Sequence, residues 1–252
     1  MRQVVLITGA SSGVGAAAAK RFVRRGAKVL MVARSAKKLA ALADEIGYGA
    51  IACPCDAADG EAVSVLREKI LAEHGVPDVI VNSAGAGAWK TVQDTSPKEA
   101  VQMMQAPYFA AFNITQAFLP GMLERGTGIL IHINSPACIA AWPKSAGYAA
   151  ARAALFGLHR ALSQDLVGTG VESCHVIFGE IDSEYFETNN VDRSDVPWLG
   201  KIVPTLDVEG CGLTVADLAI TPRAHTVRPW LLRPLLGFAT LMPRVGAWAL
   251  RL

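Results

Sequence analysis

Short runs of Val, Ile and Leu alternate with longer Ala-, Leu-, Glu- and Lys-rich stretches through the first 177 residues. Val4–Ile7, Val29–Val32, Ala50–Cys53, Val79–Val81, Ile129–Ile133 and Val171–Ile177 read as strands. They carry little polar alternation, as strands buried on both faces do. Between them, Ala16–Gly26, Lys37–Ile46, Glu61–Glu73, Lys98–Leu123 and Tyr148–Leu166 have helical length and composition. Such alternation restricts the chain to a doubly wound parallel sheet with helices on both faces, an α/β fold. A length of 252 residues suits one domain, and 52% hydrophobic with 18% charged residues excludes a disordered chain. Residues 180–210 lack periodicity and read as a substrate loop or lid.

In an open α/β sheet, ligands bind beyond the carboxyl ends of the strands. The first strand ends in Thr8-Gly9-Ala10-Ser11-Ser12-Gly13-Val14-Gly15 and runs into an Ala-rich helix. Gly9 suits a tight turn. Gly13 and Gly15 let a pyrophosphate approach the backbone and the helix pack close, while the helix N-terminus supplies free N–H groups. A strand, a glycine turn and a helix in this order predict a Rossmann-like dinucleotide site, with Ser11, Ser12 and Val14 in its wall. Arg34 ends the second strand, 19 residues after Gly15, where a dinucleotide site reads the adenine ribose. No carboxylate stands there, and a guanidinium fork suits a 2′-phosphate, so NADP(H) is the expected cofactor.

These residues and those that follow resemble the short-chain dehydrogenase/reductase family. The glycine turn matches the family's Thr-Gly-x-x-x-Gly-x-Gly. Asp56 matches the acid placed by the adenine, and Asn82-Ser83-Ala84-Gly85 resembles Asn-Asn-Ala-Gly, with Ser83 in place of the second Asn. Phe178-Gly179 stands where the family has Pro-Gly beside the nicotinamide, and Ser183 where a Thr contacts the cofactor. The resemblance thus implies cofactor contacts from Asp56, Asn82, Ala84, Gly85, Gly179, Ile181 and Ser183. Ser135 ends the fifth strand, and Tyr148 lies 13 residues later, at the family's spacing for a catalytic Ser and Tyr. Moving a proton through a phenol near neutrality needs a neighbouring cation, and Arg152 at i+4 shares the helix face. Ser135, Tyr148 and Arg152 are the expected catalytic residues, the last two also holding cofactor.

Two positions depart from the family. Arg152 replaces the Lys of Tyr-x-x-x-Lys; it keeps the charge but does not readily release a proton. Pro107, eight residues before Thr115, stands where the family has Asn, so a water relay through that amide is lost. Regular helix geometry puts neither Gln105 nor Asn113 on the same spot. The departures leave open a redox-impaired member that binds nucleotide or runs an isomerisation or cyclisation in the same pocket.

The remaining residues point away from other chemistries. A formal charge of +2 is too mild for a nucleic-acid partner. Five scattered Cys read as reduced thiols and suggest a cytoplasmic setting, and Met1-Arg2-Gln3 runs into an apolar stretch too short for a signal peptide. His74, His159, His175 and His225 look dispersed, with no metal site, while His132 and Cys138 read as packing residues. The tail 227–252 interleaves Arg228, Arg233, Arg244 and Arg251 with Leu, Phe and Trp, has no acid, and is broken by Pro229, Pro234 and Pro243. Peripheral contact with anionic lipid, a cover for the substrate cleft and a subunit contact all remain open for it. A small apolar substrate and a homo-oligomer are expected. A lipid-surface scaffold is a third reading.

Overall fold

In β1 (Val4–Thr8), Val5 and Ile7 project to one face of the sheet and Leu6 to the other, all fully buried. Side chains alternate across a strand, so an uninterrupted apolar run serves two cores at once. The computed structural model describes residues 2–189, 191–192 and 195–250. After β1 come α1 (Gly13–Arg24), β2 (Lys28–Ala33), α2 (Ala36–Ile46), β3 (Ala50–Pro54), α3 (Gly60–His74) and β4 (Val79–Asn82). The second half continues with α4 (Pro97–Met104), α5 (Ala110–Arg125), β5 (Gly128–Asn134), α6 (Ala146–Asp165) and β6 (Val171–Phe178). Then follow β7 (Ile181–Asp182), α7 (Tyr185–Thr188), α8 (Trp198–Lys201), β8 (Leu206–Asp207) and α9 (Val208–Leu218). The last described elements are β9 (His225–Arg228), α10 (Leu232–Leu241) and α11 (Pro243–Ala249).

Seven parallel strands form one sheet in the order β3-β2-β1-β4-β5-β6-β9. Phe22, Leu39, Val215 and Leu218 cover one face; Ile70, Ile114, Phe118 and Met122 cover the other. The strand order reverses between β1 and β4, which opens a crevice at their carboxyl ends.

Several elements differ from the sequence expectation. Lys98–Leu123 is not one helix, because a π turn over Gln105–Phe109 separates α4 from α5. Pro107 lacks the N–H that a regular helical turn would use there. Strand β9 and helix α9 were not expected. The His-Thr-Val-Arg sequence of β9 sits at the sheet edge, so it lacks the apolar run of a central strand. Among the described residues, the segment 180–210 holds the β7–β8 ribbon, α7, α8 and the first turn of α9, elements too short to show a periodicity.

Candidate active site

The glycine turn meets the end of β4. Thr8 Oγ1 accepts hydrogen bonds from the Ser83 and Ala84 N–H groups at 3.1 Å each, which locks the two strand ends together. Gly9 lies at φ +65, and a Cβ on it would come within 2.8 Å of Ala84 Cα. Gly13 differs: its φ is +52, yet a Cβ would meet nothing within 4 Å. That open side, beside the N–H groups that begin α1, is room for an anion against the backbone. Ser12, the residue before α1, makes no side-chain cap and leaves its hydroxyl free for another partner.

A cleft of about 1540 Å³ runs from this turn across the carboxyl ends of the strands. Gly9, Ser11, Ser12, Gly13, Val14, Arg34, Asp56, Ala84, Gly85, Ser135, Tyr148, Arg152, Gly179, Ile181 and Ser183 all line it. Gly15 and Asn82 do not. A Cβ on Gly15 would lie 2.4 Å from Gly9 O, so Gly15 serves the close packing of turn on helix. Asn82 is 3% exposed, and its amide faces Thr115 Oγ1 at 3.4 Å and His132 Nδ1 at 3.2 Å beneath the cleft floor. The Asn82 amide thus joins the end of β4 to α5 and β5. Ser35 and Lys38 also line the cleft beside Arg34. Lys38 was missed; its signal is the second cation four residues on, at the start of α2.

Ser135 caps a single 3₁₀ turn, its Oγ accepting from Ala137 N–H at 3.3 Å. Its own N–H donates to Asn134 Oδ1, and Asn134 Nδ2 donates to the Arg152 carbonyl at 3.0 Å. Buried Asn134 thus couples the end of β5 to α6. The Arg152 guanidinium lies 5.1 Å from the centre of the Tyr148 ring and donates from Nη1 to the Ile133 carbonyl. A Cβ on Gly85 would lie 2.6 Å from Arg152 Nη2, and one on Gly87 would lie 2.6 Å from Tyr148 Cδ2. The loop after β4 presses on both side chains because it carries glycine at those two places.

Around Tyr148 stand Trp89, Trp142, Tyr185 and Phe186. The two indoles meet edge to face at 4.8 Å, and the Tyr185 ring lies 6.2 Å from that of Tyr148. Burial and the adjacent Tyr148 hold the Tyr185 hydroxyl well above the usual phenol range. Val203, Leu232 and Leu236 extend the wall as an aliphatic surface. Asn189 Oδ1 accepts from Gly87 N–H at 3.1 Å and ties the 180–210 segment to the loop after β4. At the π turn Pro107 is buried, while Gln105 lines the cleft. Asn113 faces away and donates to the Ala57 carbonyl.

Four of the five histidines are not dispersed; His74, at the end of α3, stands apart beside Glu73. His132, His175 and His225 occupy neighbouring register positions on β5, β6 and β9, and His159 of α6 packs over them. Burial pushes His132 down to about 3, His159 to about 4 and His175 to about 2, with neighbouring histidines adding to each shift. Among the described residues no three His, Cys, Asp or Glu side chains form a metal-like group. Burial likewise pushes the Cys138 and Cys211 thiols up to about 12, which keeps them from acting as thiolate nucleophiles.

The family model described as short chain dehydrogenase matches residues 3–194. A fatty acyl-CoA reductase of Mycobacterium tuberculosis is 35% identical over 175 residues, which is 67% of this chain and 60% of that protein. Against several other curated oxidoreductases the chain spans about half of their length, 52%. A short-chain dehydrogenase from Streptomyces avermitilis superposes with a TM-score of 0.84 at 25% identity, covering 97% of this chain and 95% of that one. A metagenomic short-chain oxidoreductase solved in complex with NADP gives 0.75 at 27% identity, covering 89% and 96%.

Proposed function

The chain belongs to the short chain dehydrogenase family, and from that membership we propose that it is an NADP(H)-dependent oxidoreductase. It interconverts a carbonyl and a secondary alcohol on an apolar substrate such as a lipid, steroid or isoprenoid. The observation that carries this reading is convergence: the glycine turn, Arg34, Ser135, Tyr148 and Arg152 line one cleft at the strand-order reversal.

The residues suit a nicotinamide dinucleotide. The open side of Gly13 and the α1 N-terminus receive its pyrophosphate. Arg34, Ser35 and Lys38 receive a 2′-phosphate, in keeping with the neighbour solved with NADP. Arg152 Nε is buried without a hydrogen-bond partner among the described residues and suits a ribose hydroxyl. When bound, the cofactor donates or accepts the hydride. Ser135 Oγ orients the substrate oxygen and polarises it. Tyr148 Oη gives up or takes the proton, and the Arg152 guanidinium beside its ring stabilises the charge left on the phenol oxygen. The aromatic and aliphatic walls exclude water and select apolar substrates. The name of the acyl-CoA reductase relative points the same way.

Titration of NADPH and NADH by fluorescence, followed by a screen of apolar ketones for NADPH consumption, tests the reading. Tighter NADPH binding with turnover of bulky ketones is expected; equal affinity for the two cofactors, or no consumption of either, would overturn it. A second reading is nucleotide binding, or an isomerisation or cyclisation, without net redox. It draws on buried Pro107 and on Arg152, where the family's relay groups are replaced. In that case Tyr148→Phe changes little, because no proton passes through the hydroxyl.

A further inference from the structure

Helices α10 and α11 form a hairpin so close that a Cβ on Gly246 would lie 3.0 Å from Ala239 Cα. One side of the hairpin belongs to the fold. Leu232 and Leu236 are buried against Cys138, Ile177 and Val203, and Leu235, Ala239 and Ala249 line the cleft. The hairpin also carries exposed apolar side chains: Phe238 is 48% exposed, Leu241 81%, Met242 49%, Val245 41% and Trp248 60%, with Trp230, 67% exposed, shortly before α10. Isolated exposed hydrophobics are ordinary, but Phe238 and Leu241 at the end of α10, Met242 at the turn, and Val245 and Trp248 on α11 gather exposed apolar side chains at one hairpin, and such a cluster is an interaction surface.

Charge identifies the partner. Arg228, Arg233 and Arg244 are exposed around this patch and make no ion pair among the described residues. No acid follows Asp217 in the chain. A two-fold contact with a second copy would set this patch against itself, arginines facing arginines with no carboxylate between them. An anionic lipid surface satisfies both halves of the pattern. It takes Phe, Leu and Trp among the upper acyl chains and the guanidinium groups among the headgroups. No helix among the described residues is long and apolar enough to cross a membrane, so the mode is contact in the plane of the interface.

We propose that the α10–α11 hairpin docks on anionic lipid and seats the cleft mouth against the bilayer. Phe238 is 48% exposed and lines the cleft, next to Leu241 and Met242 at the hairpin turn. An apolar substrate passes from the acyl region along Phe238 into the cleft without crossing water. This route rests on the apolar-substrate reading above; the docking does not.

The test uses the full chain with vesicles of phosphatidylcholine, alone or mixed with phosphatidylglycerol. Sedimentation with the mixed vesicles at low salt is expected, weakened at least tenfold near 1 M salt, where the Debye length falls to about 3 Å. Arg233→Ser with Arg244→Ser should weaken it roughly tenfold or more, at about 1 kcal/mol per cation. Leu241→Ser with Trp248→Ser should abolish it. Neither pair lines the cleft, so unchanged thermal melting and unchanged turnover of a short water-soluble ketone show an intact fold and site. Two results would overturn the docking. One is no sedimentation with either vesicle. The other is a concentration-dependent dimer that the Leu241 and Trp248 changes dissociate, without vesicle binding, which makes the face a subunit contact. Vesicle binding together with NADPH-dependent turnover of soluble ketones only would keep the docking and remove the apolar-substrate reading.

Discussion

Arg34 and Lys38 both line the cleft, and no acid occupies the position after β2. A dianionic 2′-phosphate between two cations makes charge-assisted hydrogen bonds of about 1.5–3 kcal/mol each. Arg34→Ala is therefore expected to weaken NADPH at least tenfold in a fluorescence titration and to leave NADH nearly unchanged. Lys38→Ala should act in the same direction, more weakly. Equal losses for both cofactors would place the two side chains elsewhere than on the 2′-phosphate. At this scale the glycine turn, Arg34 and Ser135 are legible because each follows a strand directly, while Tyr148 and Arg152, on α6, are legible only through their spacing from Ser135 and from each other. The burial of the Asn82 amide against Thr115 and His132 is not legible in the sequence, because a motif does not say which way a side chain points. Lys38 was overlooked because its position is set by the first turn of α2, not by a strand end. Arg152→Lys restores the family's residue above the Tyr148 ring. If the guanidinium impairs proton transfer, turnover rises; if charge alone matters, it stays the same.

Between residues and the whole molecule lie elements whose sequences conceal them. Helix α9 holds Gly210 and Gly212, which blur its helical pattern. Gly212 is there for packing: a Cβ would lie 2.7 Å from the Ala17 carbonyl carbon and 2.8 Å from Ala17 Cβ of α1. Gly212→Val should cost about 1–3 kcal/mol by overpacking. At about 2–4 °C per kcal/mol for a domain near this size, calorimetry should show the melt lowered by several degrees. An unchanged melt would mean the two helices separate freely. The π turn was likewise illegible, since helical arithmetic from Thr115 assumes unbroken turns. Pro107 breaks them, and the extra residue brings Gln105 to the cleft. The segment 180–210 escaped because two-residue strands and four-residue helices leave no periodicity to read.

Across the molecule, the four clustered histidines reach from β5 to the sheet edge and touch the site through Asn134, whose amide faces His175 Nε2 at 2.9 Å. Their side chains come from β5, β6, β9 and α6, and only pairing and packing bring such distant positions together. His132, His159 and His175 are neutral in the fold because burial pushes each below its ordinary range. An unfolded histidine takes up a proton below about pH 6.5, so the unfolded chain then binds more protons than the folded one. Stability should thus be full above that pH and fall as pH drops toward 4, by roughly 2 kcal/mol per histidine at pH 5. Melts at about pH 7.5 and 5 measure this, and equal values would contradict neutral burial. The account as a whole turns on whether Tyr148 moves the proton that accompanies hydride transfer. The direct measurement compares the unaltered chain and Tyr148→Phe for NADPH binding and for NADPH oxidation with a bulky apolar ketone. The account predicts that binding is kept and turnover falls roughly 10²–10⁴-fold, the usual contribution of a general acid. Full turnover in Tyr148→Phe would contradict it.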